Sequence, residues 1–151
     1  VLASQLGLSG VEILNPVGTD EKGRPYGLVR MGEVAEQPLA AFAAFVKRAL
    51  SCPGVRFSDA GKPVRKVAVG GGSCGSEIGD VIAAGCDTFV TADLKYNHFE
   101  EAKYRGLNLI DAGHFETENP ICGVLEGILR EAFPEIPVFR ARAHRDETQF
   151  L

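Results

Sequence analysis

The pair His114 and Glu118, four residues apart in the segment DAGHFETE, is the arrangement in this sequence best suited to chemistry. At the opening of a helix, that spacing projects both side chains from one face. An imidazole and a carboxylate on adjacent turns can grip one transition metal, and a carboxylate can bridge two. Asp111, just upstream, is placed to orient the histidine from behind. The same residues also suit a plain helix start whose acids complement the dipole, and two ligands alone do not make a site.

Two further segments carry reactive types. In TADLKY, Asp93 follows an apolar run, where a carboxylate caps the next helix or faces a cleft. Lys95 and Tyr96 add a cation and a phenol, suited to phosphate binding or general acid work and equally common on surfaces. His98, close behind, reads as a solvated surface histidine. In GGGSCGSE, Gly70, Gly71, Gly72 and Ser73 allow close backbone approach ahead of a helix N-terminus that favours anions. That loop lacks G-x-x-x-x-G-K-[ST] and G-x-G-x-x-G, so it is either a candidate anion loop outside the standard fingerprints or a tight strand–helix turn. His144 has basic neighbours and reads as exposed, and the cysteines read as small core residues.

The elements that must position these groups follow from periodicity. Residues 64–71, 87–93 and 107–113 each read as a strand, and a helical segment follows each one, the last being residues 114–133. Three strand–helix units in succession imply crossovers within a sheet that has parallel strands. The runs at 67–69 and 89–90 are apolar on both faces, as strands covered by helices on both sides require. In such sheets ligands gather at the carboxyl ends of the strands, where all three segments fall. Upstream, residues 1–8 read as the end of a helix, and residues 11–16 and 27–33 as a hairpin or sheet edge. A helix opens at Pro38 with Leu39, Phe42, Phe45, Val46 and Leu50 on one face, and a short strand follows at 55–58. Residues 136–142 read as a final strand. The expected fold class is α/β, three-layered, with a mixed, mainly parallel sheet and helices on both faces. Residues 1–151 form a single domain, and 1–10 are the remnant of a linker helix.

Composition bounds the function. The 151 residues, 45% of them hydrophobic, suffice for one domain with a real core and argue against disorder. Sixteen Lys and Arg against 20 Asp and Glu give a net charge of −4, which disfavours capture of a nucleic acid polymer or an anionic membrane. No apolar run approaches the roughly 20 residues of a membrane span, and the opening VLASQLGLSG lacks the basic n-region of a signal peptide. Cys52, Cys74, Cys86 and Cys122 are scattered with no C-x-x-C, which fits a reduced, cytoplasmic chain. The sequence does not begin with Met, so it is expected to be part of a longer protein.

In order, VAVGGGSCGSEI, AAGCDTFVTADLKY and LNLIDAGHFETE resemble the GTP cyclohydrolase 1 type 2 homologue family, also called Nif-three-like or dinuclear metal centre proteins. The resemblance extends over nearly all 151 residues, including VLASQLGL and GLVRMGE. It implies that the chain is the C-terminal lobe of a two-lobed metalloprotein, with the His and Glu of the family's GHxxTE motif falling on His114 and Glu118. The family's other ligands, from a His-His-Pro motif and an HTNLD-like Asp, have no counterpart here. Ala92 stands where the family commonly has Gly, Asn97 where it has His, and His98 is shifted by one. The resemblance further implies two divalent metals (zinc, iron or manganese) in the full-length protein, with this half binding metal poorly or not at all. It implies a ring-like homo-oligomer, such as a hexamer, and a small-molecule substrate. The expected activity is metal-dependent hydrolysis of a nucleotide or phosphate-containing substrate. The alternative is a non-catalytic metal-binding or interaction protein.

Overall fold

A computed structural model describes all of residues 1–151. Six strands form one sheet in the order β1 (Ser9–Leu14), β4 (Val29–Gln37), β6 (Val64–Gly70), β7 (Thr88–Thr91), β8 (Asn108–Asp111) and β5 (Arg56–Ser58). A two-stranded ribbon, β2 (Gly18–Thr19) with β3 (Pro25–Tyr26), caps the β1–β4 connection. Only β6–β7 and β7–β8 are parallel; β1–β4, β4–β6 and β8–β5 are antiparallel. The sheet is therefore mixed as expected, but parallel only across its three central strands. β1 and β4 are joined locally and so pair antiparallel, and β5 arrives at the far edge running opposite to β8.

The apolar strand runs bury both faces. In register, Val69, Val90 and Ile110 form a row that faces α2 (Leu39–Ala49). Phe42, Ala43 and Val46 of α2 meet that row, and the single-turn α1 (Leu2–Gln5) adds Ala3 beside Leu6 and Leu8. The opposite row, Ala68, Phe89 and Leu109, packs with Ile78 and Val81 of α3 (Ile78–Ala83) and Ala102 of α4 (Tyr96–Tyr104). Helices thus cover both faces of a three-layer domain. Pro38 precedes α2 in extended conformation, and Lys47 and Arg48 lie in its last turn, where cations suit the dipole.

Two expectations downstream are corrected. The single helix over 114–133 is instead α5 (His114–Glu118) and α6 (Ile121–Ala132), interrupted at Pro120. Proline has no N–H for the carbonyl four residues back, and its ring crowds that carbonyl. Residues 136–142 form no strand, because they pair with neither sheet edge. The Val138 carbonyl instead accepts from Arg130 Nε at 3.1 Å and Nη2 at 2.8 Å, which lays the tail along α6.

Cys52, Cys74 and Cys86 are buried in the two cores as expected. Burial pushes all three thiols up, Cys52 to about 11, where its S–H donates to the Ala112 carbonyl at 3.1 Å. Because the thiolate is the reactive form, alkylation of the native protein by iodoacetamide at pH 8 should modify Cys122 first. The other three should react only on unfolding, as peptide mass spectrometry with and without denaturant would show. Stability that depends on the protonated Cys52 thiol is present below its unfolded pKa and lost as pH rises toward 11.

Candidate functional site

Parallel pairing of β6, β7 and β8 brings their carboxyl ends, Gly70, Thr91 and Asp111, to one edge of the sheet. Asp93 lies in the loop after β7 with φ +53°, a left-handed conformation that Asp tolerates better than most residues. There its Oδ2 meets His114 Nδ1 at 2.7 Å, across 21 residues of sequence. On the other side of the ring, His114 Nε2 lies 3.3 Å from Glu118 Oε1. The imidazole is therefore gripped between two carboxylates on a half-exposed surface. The Asp93 hydrogen bond, supported by the Glu118 charge, raises the His114 pKa above the ordinary histidine value.

Asp111 does not touch His114. Its buried carboxylate accepts from the Leu94 amide at 3.1 Å and the Gly113 amide at 3.2 Å, and pairs with Arg56 Nη2. The orienting role expected of Asp111 thus falls to Asp93, while Asp111 ties together the loops that carry Asp93 and His114. Arg56 also donates to the Leu94 carbonyl at 2.9 Å and lies 5.3 Å from the centre of the Phe99 ring.

The glycine loop closes the third side. Gly72 has φ +64°, and a Cβ there would overlap the Glu118 carboxylate and stand 3.1 Å from the His114 ring. The Gly72 amide donates to Thr117 Oγ1 at 2.9 Å, and the Cys74 amide donates to Thr91 Oγ1 at 3.1 Å. The Thr91 hydroxyl in turn donates to the Gly72 carbonyl at 2.9 Å. Gly71 and Gly72 therefore lie beside the His–Glu pair, while Gly70 packs against Cys74 and Val29; the Gly72 and Cys74 amides are spent within the protein rather than offered to an anion.

Lys95 and Tyr96 do not join this cluster. Lys95 occupies the N-cap position of α4 with no side-chain capping bond, and the exposed Tyr96 lines a separate groove with Ser58, Phe99 and Lys103. His98 is more than a surface side chain, since its Nδ1 accepts the Lys95 amide at 3.2 Å and its ring packs on Gly75. The tail supplies what the sequence did not announce. His144 packs against Phe115 with ring centres 5.0 Å apart. A cavity of about 260 Å³ beside His114 is lined by Arg56, Asp93, Asp111, Glu116 and Asp146. Burial, together with the nearby Asp146 and Asp111 charges, raises the pKa of Glu116.

The donor set fits half of a metal centre. Two ligands bound at roughly 2.0–2.1 Å in tetrahedral geometry stand about 3.3 Å apart, which is the separation of His114 Nε2 and Glu118 Oε1. Asp93 on Nδ1 supplies the outer carboxylate that metal-bound histidines commonly have. No group of three or more His, Cys, Asp or Glu side chains gathers in metal-holding geometry, so a closed site is not built from these residues alone.

Residues 1–147 match the family model Duf34/NIF3 (NGG1p interacting factor 3). The chain is 36% identical over 133 residues to a GTP cyclohydrolase 1 type 2 homolog of Nostoc sp., covering 86% of this chain and 49% of the relative. It is 41% identical over 127 residues to the protein of that name from Streptomyces coelicolor, covering 80% and 44%. It thus spans about half the length of the curated relatives it matches. A hypothetical protein of Staphylococcus aureus superposes with a TM-score of 0.88 at 26% identity, over 99% of this chain and 62% of its own.

Two measurements check the geometry. Proton NMR titration should find His114 with a pKa above that of an exposed histidine, and Asp93→Asn should bring it down. The stabilising contribution of the charged imidazole is full below the unfolded histidine pKa and is lost as pH rises through the folded value. Asp111→Ala should cost on the order of 2–3 kcal/mol in denaturant unfolding, since two amides lose a charged acceptor. The same substitution should broaden or shift the resonances of Asp93 and Gly113.

Proposed function

This chain belongs to the Duf34/NIF3 family, and from that premise we propose that it is the downstream part of a divalent-metal-dependent hydrolase. His114 and Glu118 are its contribution to a two-metal centre. The observation that carries this reading is the Asp93–His114–Glu118 line, 2.7 Å and 3.3 Å long, with one imidazole nitrogen held by a carboxylate and the other turned to Glu118. Zinc, iron and manganese all accept an imidazole with a carboxylate, so any of them suits the pair. When bound, such ions supply Lewis acidity, activating water and offsetting negative charge on a substrate under attack.

The chain's own residues do the positioning. Asp93 fixes the imidazole so that Nε2 points at Glu118, and Thr117 holds the glycine loop against both. The remaining donors come from the chain upstream, or from another copy in a ring-like homo-oligomer such as a hexamer. The curated relatives carry the name GTP cyclohydrolase 1 type 2 homolog, which makes a nucleotide or other phosphate-bearing small molecule the substrate class to try first. A second reading, a metal-binding or interaction protein without turnover, is favoured by the open apolar face of α6 and by the family's description as an interacting factor.

Calorimetric titration with zinc and manganese tests the half-site. The monomeric 151-residue chain should bind weakly, lose binding in His114→Ala and in Glu118→Ala, and bind more tightly at pH 8 than at pH 6. The pH effect follows because the imidazolium proton must leave before Nε2 can ligate. Tight binding that survives His114→Ala would overturn the assignment. With a chain of the relatives' length, nucleotide turnover that disappears on chelation supports the hydrolase. Tight metal binding without turnover supports the second reading.

A further inference from the structure

Two carboxylates are buried in this fold, Asp111 and Glu116. Asp111 has a guanidinium and two amides as partners. Glu116, only 8% exposed, forms no ion pair, and its hydrogen-bonding neighbours are its own amide and the Asp146 carboxyl group. A carboxylate taken out of water to this degree normally has a cation or several donors beside it. Glu116 instead lines the cavity of about 260 Å³ next to His114. Asp146 lines the same cavity from the C-terminal tail, where it alone among residues 139–151 is not exposed. It too forms no ion pair, and its Oδ1 accepts the Thr148 amide at 2.9 Å. The tail is pinned on either side of it. His144 packs on Phe115 with ring centres 5.0 Å apart, and the Phe150 ring lies against Gly54, where a Cβ would stand 3.2 Å from it.

We propose that this cavity binds a primary ammonium carried on a short apolar stem, held between α5 and the tail with Glu116 and Asp146 accepting its N–H bonds. The other charges around the cavity are already engaged: Asp111 pairs with Arg56, and Asp93 Oδ2 holds His114. Glu116 and Asp146 are left as the surplus negative charge, which repels an anion and draws a cation. The walls select the kind of cation. No three His, Cys, Asp or Glu side chains gather in metal-holding geometry, and the Phe115 and Phe150 rings that also line the cavity offer no ligand atom to a metal. Those rings suit an alkyl stem and the positive charge on its end. An ammonium carries three donors, enough for two carboxylates at once, in charge-assisted hydrogen bonds. The site is separate from the His–Glu pair, since Asp93, on the Nδ1 side of the ring, lines this cavity and Glu118, on the Nε2 side, does not. It stands whether or not that pair takes a metal.

Amide NMR of the chain at pH 7, titrated with n-butylammonium chloride, tests this. The Gly113, Glu116, Asp146 and Phe150 resonances should shift and saturate, whereas 1-butanol and sodium butyrate should leave them in place. Glu116→Gln and Asp146→Asn should each weaken binding by roughly tenfold or more, because each removes a charged acceptor. Unchanged β6, β7 and β8 resonances would show that both variants keep the fold. Phe150→Ala should weaken binding by about threefold through loss of the ring. His114→Ala should leave ammonium binding in place even where it removes zinc binding, which separates this site from the metal assignment. Shifts that stay linear through about 100 mM overturn the proposal, since no specific affinity remains at that concentration. So do shifts that 1-butanol reproduces, and so does undiminished binding in a folded Glu116→Gln or Asp146→Asn variant. Magnesium or calcium chloride saturating the same resonances at lower concentration than butylammonium would overturn the ligand class and assign the two carboxylates to a metal ion.

Discussion

One buried carboxylate governs the geometry at the carboxyl edge of the sheet. Asp111 is the last residue of β8, and the parallel register sets it beside Thr91, the last of β7. From there it accepts the Leu94 amide, the Gly113 amide and the Arg56 guanidinium, which belong to three different elements. A buried carboxylate left short of donors carries a large desolvation penalty, so the three donors must converge. Their convergence brings the β7–α4 loop, with Asp93 in a left-handed conformation, against the β8–α5 loop that starts the His114 helix. The 2.7 Å contact between Asp93 and His114 depends on that closure.

The glycine loop obeys a second constraint of the same kind. Gly72 must approach the His–Glu pair closely enough that no side chain fits, and its positive φ suits glycine best. Threonine hydroxyls from β7 and α5 then satisfy the Gly72 and Cys74 amides. A loop that looks like an anion cradle in sequence is here a spacer that lets three elements meet. Flexibility at glycine serves packing, and the charged chemistry stays with Asp93, His114 and Glu118.

The central strands and α2 were legible because their signals are local. Apolar runs of strand length around 67–69 and 89–90 can only be covered on both faces, and Leu39, Phe42, Val46 and Leu50 repeat at helical spacing after Pro38. The four-residue spacing of His114 and Glu118 was legible for the same reason. The Asp93–His114 bond was not, since it joins residues 21 apart whose meeting is set by the order of strands. The same holds for Arg56, which reaches Asp111 only because β5 lies against β8 at the sheet edge. Residues 136–142 carry a strand-like pattern, but a strand needs an open ladder to join, and this tail found the Arg130 side chain instead. Pro120 is visible in the sequence, yet its effect is a break between α5 and α6 that periodicity alone would run through.

Electrostatics orders what can enter the site. Asp93, Asp111, Glu116, Glu118, Asp146 and Glu147 surround the imidazole and its neighbouring cavities, whereas the nearby cationic groups are Arg56, Arg145 and the charged form of His114. Arg56 is already committed to Asp111 and the Leu94 carbonyl. An anionic substrate approaching such a surface meets repulsion, and the Glu116 pKa, raised first by burial, is raised further by the Asp146 and Asp111 charges. In the proposed reading a cation would be the first occupant of the space beside Nε2 and Glu118, where it would compete with the proton that Asp93 and Glu118 stabilise on the ring. In the proposed hydrolase, phosphate-bearing substrates then follow the metal, because only its charge turns this edge of the sheet from repelling an anion to holding one.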